Sequence, residues 1–170
     1  MKISDSLLGE FDQETKTNRT VLERCPDEKF GWKPHLKSWD MSTLASHIAY
    51  LLSWGADILT KDAFDVAPEG ADPYKEAALP SSKELLALFD KNAAIVRAAL
   101  AAASDEHFRK DWSLLAGGKV LFTMPRIAAL RSFVFNHTVH HRGQLTVYLR
   151  LNDIPVPCIY GPSADENMTF

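Results

Sequence analysis

The chain has 170 residues, of which 46% are hydrophobic and 24% are charged, a composition typical of a globular protein. This length fits one domain with a substantial core, so we predict a single domain over residues 1–170. The formal net charge of −3 gives no basic excess and argues against a nucleic-acid partner. No segment approaches the roughly 20 apolar residues of a membrane span, so we expect no membrane contact.

The start of the chain and its cysteines indicate a compartment. The first residues contain no apolar signal-peptide core, and Cys25 and Cys158 fit no CxxC motif. In a chain without an export signal, such cysteines are expected to be reduced thiols rather than a bridge. We therefore expect a cytoplasmic protein.

Four stretches repeat apolar residues at the three- and four-residue spacing of an amphipathic helix. The first ends before Pro26, because the residue preceding a proline is disfavoured in a helix. The third opens at Ser81, which matches a capping box with Glu84, and the fourth carries Pro125 in its first turn, where proline is tolerated. We predict these helices at about residues 4–24, 40–61, 81–103 and 123–152.

Two irregular features separate these helices. Gly117-Gly118 lies between the apolar runs 112–116 and 119–122, which predicts a short β-hairpin. The connection 62–79 is longer than is usual in a bundle and is expected to be a lid, a dimer contact or a crossover. The fold class predicted is all-α, a four-helix bundle with long crossover connections and one short β-hairpin between helices 3 and 4.

Three histidines occupy the predicted inward faces. His137 and His141 lie one turn apart on the fourth helix, and His47 has the same inward register on the second. Imidazoles on a buried face need partners, and a shared metal ion with an open coordination position is one solution. The alternative is that each is a core histidine bonded to a carbonyl or hydroxyl group. His140 competes as a ligand, but its register places it on the flank.

Other polar residues also interrupt the inward faces. Asn92 does so on the third helix, and Gln144 lies one turn beyond His141. Since buried polar groups need hydrogen-bond partners, a polar pocket inside the bundle is indicated. For Arg142 we favour a structural ion pair over a catalytic role. The predicted inward stripe of the first helix is Leu8, Phe11, Thr15, Asn18 and Leu22.

Several segments together resemble the DinB-like (DinB/YfiT-type) family of metalloenzymes, and they cover nearly the whole chain in the family's order. The most specific is the His-His-Arg-Gly-Gln run. The similar segments are Val21-Leu22-Glu23-Arg24, Trp32-Lys33-Pro34-His35, Leu44-Ala45-Ser46-His47, His137-Thr138-Val139-His140-His141-Arg142-Gly143-Gln144 and Tyr160-Gly161-Pro162-Ser163-Ala164-Asp165-Glu166.

The resemblance implies a four-helix bundle with long crossovers, commonly a homodimer. It also implies one divalent metal ion held by a histidine triad, whose matching positions are His47, His137 and His141. Zinc and nickel are our first choices for the ion, although histidine nitrogens also accept iron and copper. The family pattern further suggests that the tail brings Tyr160 to the pocket.

Three neutral imidazoles leave the full positive charge on a bound metal ion, which favours ionisation of a bound water or thiol. The residue after His137 is Thr138, whereas HExxH proteases have a glutamate there as general base. A thiol, with a pKa of about 8.5, ionises on a metal without such a base. We therefore predict transfer of a small thiol to an electrophilic substrate, with hydrolysis second and non-catalytic metal or ligand binding third. The predicted substrate contacts are Gln144, His140, Asn18 and Tyr160.

Overall fold

Four long helical segments dominate the structure, a computed structural model that describes residues 2–167. Met1 and residues 168–170, the ends of the predicted domain, lie outside this range. Within it, no helix combines the length and apolar character needed to cross a membrane. The elements in chain order are α1 (Ile3–Leu22), a 3₁₀ turn (Asp27–Lys29), α2 (Met41–Thr60), β1 (Ala63–Asp65), α3 (Ser82–Ala102), α4 (Asp105–Arg109), β2 (Asp111–Ala116), β3 (Lys119–Pro125), α5 (Arg126–Leu130), a π-helical turn (Arg131–Phe135) and α6 (Asn136–Leu151).

The packing of the helices is that of a four-helix bundle, as predicted. Helix α1 packs against α3 and α6, and α2 packs against the same two helices. Helices α1 and α2 are therefore diagonal neighbours, so the connection between them crosses the end of the bundle. Each long helix supplies fully buried side chains to the shared core, among them Phe11, Leu44, Val96 and Leu145.

The first three helices begin and end within about two residues of their predicted bounds, and side-chain caps explain two of the starts. The Asp40 carboxylate accepts a hydrogen bond from the backbone N–H of Thr43 at the start of α2. The Ser81 hydroxyl accepts one from the N–H of Glu84 at the start of α3. Both caps satisfy backbone donors that have no partner within the helix.

The predicted hairpin is confirmed, and it belongs to a three-stranded sheet. Strands β2 and β3 pair antiparallel around Gly117 and Gly118, which have φ angles of 58° and 72°, a region that favours glycine. Strand β1, which the sequence did not predict, pairs parallel with β2. Its Asp65 carboxylate accepts hydrogen bonds from the N–H groups of Gly117 and Gly118 at 3.1 and 2.7 Å, so the turn is held from the neighbouring strand.

The prediction that the fourth helix begins at Thr123 was wrong. Thr123 lies in β3 opposite Ser113, their hydroxyl oxygens 2.7 Å apart, and the helix begins only after Pro125, at Arg126. The helix then contains the π-helical turn, which ends at Phe135, two residues before His137. Such turns are rare and often lie at functional sites, so the position of this turn supports a functional role for His137.

The inward face of α1 also differs from the prediction. Leu7 and Glu14 are buried, whereas Leu8 and Thr15 are only partly buried. The Thr15 hydroxyl donates a hydrogen bond to the backbone carbonyl of Phe11 at 2.7 Å, so it needs no partner in the bundle. The buried polar residues of α1 are therefore Ser4, Glu14 and Asn18.

Candidate metal centre

The three histidines selected from the sequence form one cluster. His47 extends from α2, and His137 and His141 extend from successive turns of α6. One potential ligand atom from each ring lies within 4.8 Å of the other two. His141 is buried, and the other two rings are partly buried. The alternative was that each histidine lies separately in the core and bonds to a carbonyl or hydroxyl group. It does not fit this arrangement, because the three rings are neighbours of one another.

Hydrogen bonds at the Nδ1 atoms orient two of these rings. His47 Nδ1 lies 2.5 Å from Oε2 of Glu76, and His141 Nδ1 lies 2.8 Å from Oε1 of Gln144. Both oxygens are acceptors, so each Nδ1 carries the proton and each Nε2 presents a lone pair. The second nitrogen of each ring is thus left free for a metal ion, the arrangement that metal-binding histidines normally have.

The contact between His137 and His141 supports the same assignment. Their Nε2 atoms lie 2.9 Å apart, a distance at which two lone pairs repel unless a proton or a cation lies between them. A proton on either Nε2 atom would meet this need, and so would a divalent ion held by both lone pairs. The donor set, three imidazole nitrogens from two helices, therefore fits a divalent metal ion.

Burial keeps two of these rings, His137 and His141, neutral. Burial, and next the proximity of His47 and His140, lower the pKa of His137. Burial also lowers the pKa of His141 to about 4, although its bond to Gln144 acts in the opposite direction. Neutral imidazole is the form that binds metal, so protons compete weakly for the two rings near pH 7.

Trp39, which the sequence analysis did not select, covers the cluster. Its ring centroid lies 5.1 Å from that of His47 and 5.8 Å from that of His141, against which it is stacked. Trp39 is 48% exposed, so it contacts the histidines from the protein surface and is not part of the core. Nothing in the sequence pattern marks Trp39, because it lies in an irregular connection before α2.

Trp39 also lines two cavities, each of which reaches one histidine of the cluster. The first has a volume of about 450 Å³ and reaches His141. The second, of about 420 Å³, reaches His47. Volumes of this size suit small-molecule ligands. Residues lining the first cavity include Lys37, Ser38, Gln144, Val147 and Tyr148, and those lining the second include Thr43, Trp54, Tyr74, Lys75 and Glu76.

Glu76 is the second residue of the site that sequence reasoning missed. It belongs to the connection between α2 and α3, and its Oε1 accepts a hydrogen bond from the Tyr74 hydroxyl at 3.0 Å. Tyr74 packs against Trp54 and Phe64, and burial raises its pKa to about 12. The only signal in the sequence was the unusual length of this connection, and that length could not identify Glu76 in particular.

The four predicted substrate contacts fall into two groups. Gln144 lines the first cavity, although it is exposed and not on the inward stripe. His140 is exposed on the flank, with its ring centroid 4.8 Å from that of His141. Asn18 and Tyr160, in contrast, bind Arg142 and do not line either cavity among the residues described. Their contact with a substrate stays a prediction that this geometry does not favour.

Arg142 lies at the centre of a buried ion-pair cluster, as the preference for a structural role predicted. Its Nη1 donates to Oε2 of Glu14 at 2.7 Å and to Oδ1 of Asn18 at 3.0 Å. Its Nη2 donates to the Tyr160 hydroxyl at 2.6 Å, which in turn donates to Glu14. The guanidinium of Arg142 on α6 therefore has hydrogen-bond partners both on α1 and on the segment that follows α6, which carries Tyr160.

Known proteins share the sequence pattern and the fold. A sequence profile of the DinB family matches residues 1–168. An uncharacterized protein, YrdA, of Bacillus subtilis is 24% identical over 168 residues, which are 98% of this chain and 93% of that protein.

Two solved structures are similar in fold. A DinB-like protein from Bacillus cereus superposes with a TM-score of 0.69 and 23% identity over 94% of this chain and 98% of its own. A DinB-like protein from Bacillus subtilis, YjoA, has a TM-score of 0.69 and 17% identity over 96% of this chain and 99% of its own. The profile match over almost every residue decides the classification: the chain belongs to the DinB family.

Proposed function

We propose that the protein holds one divalent metal ion, zinc or nickel, through His47, His137 and His141 and catalyses transfer of a small thiol to an electrophilic substrate. The convergence of three imidazoles, whose ligand atoms lie within 4.8 Å of one another, carries this proposal. A divalent ion, when bound there, supplies an uncompensated positive charge that favours ionisation of a coordinated thiol. The residues of the chain position the two reactants around that charge.

The two cavities support a reaction with two substrates. Both are lined by Trp39 and have similar volumes of about 450 and 420 Å³, and each reaches a different histidine of the cluster. A thiol in one cavity and an electrophile in the other approach the same point, which gives the proximity that a two-substrate reaction requires. The partial cover of Trp39 limits the access of water to that point.

Hydrolysis is the second candidate, and Glu76 is the observation that favours it. Glu76 is the one carboxylate among the described residues that line the two cavities. Both of its oxygens are engaged, one near His47 Nδ1 and the other with Tyr74. A general base needs a free oxygen within hydrogen-bond reach of the attacking water. We therefore rank thiol transfer first.

A cytoplasmic location agrees with this proposal. Cys25 and Cys158 are both free thiols, as expected in a reducing compartment. Small cellular thiols are available there as substrates.

Activity measurements on zinc- and nickel-loaded protein test the proposal. The protein is offered a panel of small thiols with a chromogenic electrophile, and separately ester and amide substrates without thiol. We expect thiol-dependent turnover that is lost in His141→Ala and retained in His107→Ala, a control at a histidine of α4 that lines neither cavity. Turnover of esters or amides without thiol selects hydrolysis instead. Absence of all turnover, together with tight binding of metal or one ligand, selects a non-catalytic binding protein.

A further inference from the structure

We infer that Glu76 is a positioning residue of the metal centre, which holds the His47 ring in the Nδ1–H tautomer with Nε2 directed at the cluster. This inference rests on the proposed metal-binding function. The contact that carries it is the 2.5 Å separation of His47 Nδ1 and Glu76 Oε2. The two side chains are only 15% and 18% exposed, so water competes weakly for this hydrogen bond.

Glu76 is held by anchors on both sides along the chain. It belongs to a segment that we call the strap, residues 66–79. Before Glu76, the N–H of Tyr74 donates to the carbonyl of Val66 at 2.7 Å. After it, the Leu79 N–H donates to the Ser46 hydroxyl at 2.9 Å. The carboxylate is therefore presented to His47 by a fixed backbone.

A further hydrogen bond orients the carboxylate itself. The Tyr74 hydroxyl donates to Oε1 of Glu76 at 3.0 Å, which leaves Oε2 for His47. The Tyr74 ring is fixed by edge contacts with Trp54 and Phe64 at centroid distances of 5.8 and 5.4 Å. A chain of contacts thus extends from an aromatic cluster through Tyr74 and Glu76 to His47.

The chemical consequence is a preference between two forms of one ring. Free neutral histidine exchanges its proton between the two nitrogens, and only the Nδ1–H form presents the Nε2 lone pair to the cluster. A carboxylate that accepts the Nδ1–H bond selects this form and fixes the plane of the ring. Partners of this kind typically contribute about 10- to 100-fold in metal affinity. His141 has an uncharged amide partner, Gln144, so Glu76 is the ionisable member of this outer set.

The first test is the zinc affinity of purified full-length protein, measured by competition with a chromophoric chelator. We expect Glu76→Ala to weaken zinc binding about 10- to 100-fold. Glu76→Gln retains an acceptor oxygen and is expected to recover part of that loss. Glu69→Gln, which changes an exposed carboxylate of the same strap, serves as the matched control and is expected to leave affinity within about two-fold of wild type.

The second test observes the tautomer of His47 directly. Long-range proton–nitrogen correlation spectra of the zinc-free protein are expected to show His47 with its proton on Nδ1 in wild type and Glu69→Gln. In Glu76→Ala, the Nε2–H form is expected to become populated. A strap that acts only through packing does not change this spectrum, even if its loss lowers the melting temperature.

The two tests separate the failure of this inference from that of the proposed function. Wild-type protein that binds no zinc refutes the metal site, while the tautomer spectra still decide the role of Glu76. Wild-type protein that binds zinc, with equal affinity and an unchanged tautomer in Glu76→Ala, overturns the inference alone. Equal losses of affinity in Glu76→Ala and Glu76→Gln without a tautomer change also overturn it.

Discussion

Removal of the Glu14 carboxylate is expected to destabilise the fold severely without removing the metal site. Glu14 and Arg142 form an ion pair whose side chains are only 12% and 2% exposed. In Glu14→Ala, the guanidinium stays buried between α1 and α6 without its counter-charge, and the Tyr160 hydroxyl loses its acceptor. The destabilisation is expected to be large because leaving one charge buried and unpaired costs more free energy than the intact ion pair contributes.

The magnitude follows from this burial. Removing one partner of a buried pair costs about 3–5 kcal/mol. For a chain of this length, each kcal/mol corresponds to roughly 2–4 °C, so the melting temperature of Glu14→Ala is expected to fall by roughly 6–20 °C. In the Glu14→Ala background, Arg142→Met removes the orphaned cation and is expected to show a favourable coupling of about 0.5–3 kcal/mol.

Urea unfolding at neutral pH, followed by circular dichroism, measures the free energy of unfolding of each variant. Asp12→Ala is the matched control on the same helix, because Asp12 also forms two hydrogen bonds with an arginine, Arg97. These side chains are 46% and 55% exposed, so the loss is expected to be small. Two results would contradict this prediction: a loss of unfolding free energy in Glu14→Ala no larger than in Asp12→Ala, or a folded Glu14→Ala variant that cannot bind zinc.

Three further predictions concern pH, helix propensity and assembly. The pKa of His141 falls from 6.5 in the unfolded chain to about 4 in the folded protein. Between these two pKa values, His141 is protonated in the unfolded chain before it is protonated in the folded protein. The free energy of unfolding of the metal-free protein should therefore fall as the pH is lowered through this range, and it should fall less in His141→Gln. Gly9→Ala, at an exposed helical position with open space around it, should raise the free energy of unfolding by up to about 1 kcal/mol. We also propose a homodimer. Val147 and Leu151 form an exposed apolar stripe on α6, and Leu151→Lys on this stripe should yield monomers in analytical ultracentrifugation.

Each of these has a contrary outcome. Equal pH profiles of melting temperature for wild type and His141→Gln contradict the depressed pKa of His141. A lower free energy of unfolding of Gly9→Ala in urea contradicts the expected gain and means that the space around Gly9 on α1 is not open. Wild-type protein that stays monomeric at all concentrations contradicts the homodimer, whereas a dimeric Leu151→Lys variant contradicts only the stripe as its interface.

The helices and the histidine cluster could be predicted because both depend on local periodicity. The three- and four-residue repeat that buries Leu44 and Leu51 also directs His47 inward, and the same repeat on α6 aligns His137 with His141. Capping by Ser81 requires only nearby residues. Such features are encoded within a few turns of chain, where side-chain spacing determines which residues share a face.

The remaining features depend on contacts between distant segments. Strand β1 has three residues, too few for an alternating pattern, and it is defined by its pairing with β2. Thr123 continues a strand instead of starting a helix because Ser113 lies opposite it. Glu76 and Trp39 reach the histidines from irregular connections, whose backbone path no local pattern specifies.

The proposed function requires one divalent ion bound through the Nε2 atoms of His47, His137 and His141. A crystal of zinc-loaded protein, measured on both sides of the zinc absorption edge, locates that ion by its anomalous scattering. We predict one peak per chain at about 2.0–2.1 Å from all three Nε2 atoms. Zinc bound elsewhere, zinc bound through Nδ1 of any of the three rings, or no peak in crystals grown with zinc present would contradict the account.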